Sequence, residues 1–172
     1  MLARRGRMLW AVAVVLLAGC SPEVSGNSAL AKGESLGEMR QQAGEALARY
    51  DQAVVDAGGS APVTVTPPAW NSPPGLSIES ATGTAVSTRL SVTFTGARGP
   101  ATESCGADYY AEAVESANAV VVIVIAQPHG GDETCALAGY VRTATLNLAQ
   151  PLGRRAVLEA CQGQPVPVTA GG

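Results

Sequence analysis

Ala119-Val120-Val121-Val122-Ile123-Val124-Ile125-Ala126 is the stretch that decides how this chain folds. It is uninterrupted, β-branched and bounded by the turn residues Ser116-Ala117-Asn118 before it and a polar loop, Gln127 to Cys135, after it. A run of this length is too short to cross a membrane as a helix. β-Branched side chains favour strands, and an apolar run without alternation suits a strand covered on both faces. The rest of the fold must therefore supply two layers, one for each face.

The flanking segments alternate, as half-buried strands do. Leu90, Val92 and Phe94 share one face, with Ser91, Thr93 and Thr95 on the other. In 108–115, Tyr109, Ala111 and Ala113 share a face. In 140–148, Ala144, Leu146 and Leu148 oppose Thr143, Thr145 and Asn147. Leu76 and Ile78 alternate, Arg154 to Glu159 form a last short strand, and Gln164 to Val168 are extended or frayed. Short antiparallel strands with turn signals predict a β-sandwich or open barrel over 76–168.

One helix precedes it, giving an α+β, mainly β chain. Leu36, Met39, Ala43, Leu47, Tyr50 and Val54 recur at spacings of three and four, one apolar stripe of a helix spanning 35–59. Ser35 and Glu38 form a capping box at its start, and Gly58-Gly59 stop it. Residues 60–75 are a Pro-rich linker that holds Trp70 and a short candidate edge strand, Val63 to Thr66.

The N-terminus carries an address. Arg4, Arg5 and Arg7 precede a short apolar run from Met8 to Leu17, then Leu17-Ala18-Gly19-Cys20. These are the parts of a secretory signal over 1–19. The small Ala18 and Gly19 beside a cysteine form a lipoprotein box, with Cys20 as the lipidated residue and 20–34 as a tether. The 172 residues carry a net charge of −3, and removing residues 1–19 makes it −6. No basic excess exists to neutralise phosphates, so binding to nucleic acid by charge is excluded.

An exported chain in an oxidising compartment is expected to pair its thiols. Strands running up, down, up and down over 108–159 would bring Cys105, the His129 loop, Cys135 and Cys161 to one end of the sheet. Both Cys105–Cys135 and Cys135–Cys161 bridges are then open, and one thiol is left over. A Cys₃His zinc site from the same residues lacks the usual C-x-x-C spacing. Glu103, Asp108, Asp132 and Glu133 form an acidic rim there, and oxygen ligands of this kind suit calcium. His129 lies near Ser104 and Asp132, but no serine-hydrolase elbow, zinc-protease or P-loop motif is present. Glu112 and Glu115 point to opposite faces of a strand and make no acid–base pair.

Several segments together resemble a group of uncharacterised actinobacterial lipoproteins. They are the lipobox, Leu90 to Gly96 before Ser104-Cys105-Gly106, Ala113-Val114-Glu115-Ser116 before the apolar strand, and Thr145 to Arg155. The resemblance covers roughly 76–168. It implies a small β domain with cysteines at the positions of Cys105 and Cys135, favouring that pair, while Cys161 departs from the pattern. It brings no established activity.

The reading is a lipoprotein held by Cys20 on the extracytoplasmic face of the cell membrane, with a non-catalytic binding or structural role. Its expected partners are the membrane and a cell-envelope protein. No cofactor, metal or catalytic residue is expected. The alternative is an exported enzyme or metal-binding protein built on His129, the cysteines and the acidic end of the sheet.

Overall fold

A computed structural model describes residues 36–59, 61–66, 75–131, 134–135 and 138–171. The capping residue Ser35, the lipobox with Cys20, and Trp70 lie outside the described residues. Among the described residues, one helix and seven strands form in the order α1 (Leu36–Asp56), β1 (Ile78–Thr82), β2 (Arg89–Gly96), β3 (Ala107–Glu115), β4 (Ala119–Pro128), β5 (Tyr140–Asn147), β6 (Ala156–Glu159) and β7 (Val168–Thr169). The described residues are mainly β, with two sheets of order β5-β2-β1-β7 and β3-β4-β6 that form no closed barrel.

β4 lies in the middle of three layers. Val121, Ile123 and Ile125 face α1, packing with Met39, Leu47 and Tyr50. Val120, Val122 and Val124 face the four-stranded sheet, packing with Leu90, Val92 and Phe94. All six valines and isoleucines are at most 5 % exposed, so both faces of the strand are core. This meets the demand that the apolar run makes.

The helix stripe is confirmed. Met39, Ala43, Leu47, Tyr50 and Val54 are buried, joined by Ala46. Gly58 and Gly59 take φ of +72° and +82° and end the helix. Gly59 N–H donates to Val54 O and Gly58 N–H to Val55 O, the paired bonds of a Schellman stop that glycine adopts without a Cβ clash. Asp51 then ties α1 to the β3–β4 turn, accepting from Ser116 Oγ and Asn118 Nδ2 at 3.0 Å each.

Strand pairing departs from an all-antiparallel arrangement. β5 does not lie beside β4; it pairs antiparallel with β2 in the other sheet. β6 pairs parallel with β4, and β7 parallel with β1. Burial explains the choice. Val157, Leu158 and Glu159 of β6 are buried in succession, as the middle layer requires. β5 alternates and keeps Val141, Thr143, Thr145 and Asn147 exposed, as the outer sheet allows. Residues 63–66 are not a strand either. Val65 is buried against α1, its carbonyl accepting from Gln164 Nε2 at 2.5 Å, while Val63 N–H donates to Tyr50 Oη.

Two carboxylates brace the crossovers. Glu115 Oε2 receives Arg155 Nη1 at 2.6 Å, and Glu115 Oε1 receives Ala149 N–H at 2.7 Å. Arg155 also donates to the carbonyls of Gln150, Pro151 and Leu152. Glu159, 7 % exposed, accepts the N–H groups of Cys161 and Gln162 at 2.7 and 2.6 Å and holds the turn after β6. Glu112, on the other face of β3 from Glu115, pairs with Arg40 of α1 at 2.8 Å. The two glutamates are thus separated as strand geometry requires.

Candidate functional site

The end of the molecule where β3 begins and β4 ends holds Cys105, Cys135 and His129. Cys105 and Cys135 form a disulfide with Cα atoms 5.5 Å apart. His129 continues straight from β4, and its N–H donates to Gly106 O at 2.9 Å. Its Nδ1 lies 2.8 Å from Ala101 O. A carbonyl only accepts, so the proton sits on Nδ1. The imidazole is therefore oriented by a main-chain carbonyl. The 99–106 loop beneath it is tightly turned, with Glu103 N–H bonded to Pro100 O and Gly106 N–H to Glu103 O. A Cβ at Gly106 would run into the Pro100 carbonyl, so only glycine fits.

The disulfide corrects the Cys₃His alternative, because sulfurs bonded to one another are not thiolate ligands. Among the described residues no group of three His, Cys, Asp or Glu side chains is placed to hold a metal ion. Asp108 and Glu103 stand near the bridge on the 99–108 segment, and Asp108 Oδ1 accepts Ala101 N–H at 3.1 Å. Asp132 and Glu133 of the expected rim lie outside the described residues.

Cys161 is a second correction. It lies in the turn after β6, whose last residue Glu159 is level with Val122 in mid-β4. It is 7 % exposed and disulfide-bonded, so it is not a leftover thiol. Removing the other bridge, with Cys105→Ala and Cys135→Ala together, is expected to lower unfolding free energy by roughly 3–4 kcal/mol in the chain-entropy model. Non-reducing urea denaturation against the unaltered chain measures this.

Beside the bridge lies a cleft of about 370 Å³ between the starts of β3 and β5, lined by Pro100, Asp108, Tyr109, Val141, Arg142 and Thr143 among others. Tyr109 forms its inner wall, its ring packed edge-on against Phe94 at 4.9 Å and its hydroxyl bonded to Ala97 N–H. Arg142 is the residue that sequence reasoning missed. It pairs with Phe94, as Ala144 does with Val92 and Leu146 with Leu90, which puts it on the core face of its strand. The signal was present: positions 142, 144, 146 and 148 read Arg-Ala-Leu-Leu, one cation in register with an apolar face.

Comparison of the chain with protein-family models, curated proteins and solved structures finds no match. Among the described residues no helix is long and apolar enough to cross a membrane.

Proposed function

We propose that this chain is an exported, lipid-anchored domain on the extracytoplasmic face of the cell membrane, with a non-catalytic binding role. The observation that carries the reading is the Cys105–Cys135 disulfide, since such bridges persist in oxidising compartments. The basic n-region, short apolar run and Leu17-Ala18-Gly19-Cys20 box supply the matching address. A diacylated cysteine gives more than one buried acyl chain, which is what stable anchoring takes. The partner on this reading is a cell-envelope protein bound by the β domain.

The disulfide at Cys161 favours a second reading. Cys20 is the remaining cysteine of the sequence and lies outside the described residues. A sulfur held as a thioether to lipid forms no disulfide. An exported domain with two bridges and no lipid is therefore the rival.

The full chain expressed in a bacterial host that processes lipoproteins separates the two. On the lipid reading it fractionates with membranes, its Cys20 peptide carries a diacylglycerol mass, and Cys20→Ser moves it to the soluble fraction. A soluble chain whose non-reduced digest joins the Cys20 and Cys161 peptides overturns the anchor.

A further inference from the structure

We propose that the cleft between β3 and β5 is a docking groove for an extended peptide segment that carries a carboxylate, with Arg142 as the counter-ion. The inference rests on the binding role proposed above and is independent of the lipid.

Three observations carry it. First, Arg142 Nε is buried and has no hydrogen-bond partner. A buried guanidinium N–H left unmade costs more than an ordinary polar group, so a turn of this side chain that brings the donor to an acceptor in the cleft recovers that cost. Among the described residues its guanidinium has no carboxylate partner, whereas Arg40 pairs with Glu112 and Arg155 with Glu115. Its Cγ lies beside Gly96, and the residue lines the cleft. Second, among the described residues β5 is hydrogen-bonded to β2 alone, and its other edge has no described strand beside it. An extended peptide can add to such an edge, its main chain giving affinity and its side chains specificity. Third, the outer face of β5 is apolar at this end. β5 is an eight-residue strand without proline, and Val141 is 73 % exposed at the lip of the cleft.

The cleft also limits the occupant. Asp108 on the opposite wall opposes a second anion, so one carboxylate fits and an acidic run does not. Arg–carboxylate pairing is bidentate and directional, which aligns the peptide along β5.

The test uses the purified full chain and a fluorescent, end-blocked hexapeptide of alternating threonine and valine with one central aspartate. Its asparagine counterpart and an unblocked form with a free C-terminal carboxylate distinguish a side-chain from a terminal source. Anisotropy should show saturable binding by one carboxylate peptide. Binding should be at least about tenfold weaker for the asparagine peptide and for Arg142→Gln, and partly retained by Arg142→Lys. In ¹⁵N NMR the Arg142 Nε–H signal, identified by its loss in Arg142→Lys, should shift on binding. Equal binding of the aspartate and asparagine peptides, or no binding by any of the three, overturns the proposal. In the latter case Arg142 is an inward-pointing charge that guards the edge, and Arg142→Ala should then self-associate. Failure of the lipid reading leaves these results untouched, because no step uses the anchor.

Discussion

Arg155→Ala is expected to lower unfolding free energy by about 3–5 kcal/mol, the range for breaking one partner of a buried ion pair. The Arg155 and Glu115 side chains are only 10 % and 17 % exposed, so neither is well served by water once alone. The substitution also strips donors from three carbonyls in 150–152 and leaves Glu115 holding Ala149 N–H as its remaining bond. The consequence is local as well as global. The 148–155 segment carries the chain from the four-stranded sheet to the middle layer, and Arg155 immediately precedes β6. Urea denaturation should show a lower midpoint with an unchanged slope. Hydrogen exchange should open first at 148–159. Glu115→Leu with Arg155→Met, two apolar residues of similar volume, should recover part of the loss because no charge is left buried. An Arg155→Ala loss under about 1 kcal/mol would mean that the pair behaves as a surface contact.

This ion pair gives the motifs noted at the outset a physical role. Ala113 to Ser116 and Thr145 to Arg155 lie far apart in the chain, yet Glu115 of one meets Arg155 of the other. Their residues brace a crossover. The same holds for Ser116, whose hydroxyl reaches Asp51 of α1.

Ile123→Ala is expected to cost about 4–5 kcal/mol, the upper part of the range for truncating a buried isoleucine. Ile123 is fully buried in the middle layer, between strands on both sides and under α1. A cavity there cannot close without moving two layers, so little relaxation offsets it. Val122→Ala removes less, about 2–3 kcal/mol, but from the opposite face. The comparison is diagnostic. In a strand with one wet face, one of two adjacent truncations would be nearly silent; here both should lower the melting temperature. A neutral Val122→Ala would show that the four-stranded sheet does not cover β4.

Much of the architecture was legible because it depends on local pattern. The apolar stripe from Leu36 to Val54, the alternation in 90–95 and the unbroken run at 119–126 each state how many faces must be buried. The candidate site was legible in part. Cys105, Cys135 and His129 do share one end, because β3 starts where β4 finishes and that hairpin is local. Cys161 belongs at that end only if consecutive strands pair, and β5 pairs with β2 instead. Arg142 was passed over because its side chain breaks an apolar face that otherwise reads correctly.

Neighbouring residues alone settle which elements form and which faces they bury, since periodicity and turn residues are local properties. Tertiary structure decided which strand lies beside which. β5 and β6 compete for the place next to β4, and the place goes to β6, which has no wet face to lose. β5, with its exposed threonines, joins the outer sheet and becomes its edge. That choice leaves β5, among the described residues, paired on one side alone and sets Arg142 in a cleft against β3. A long-range competition for burial produced both, and no window of neighbouring residues contains it.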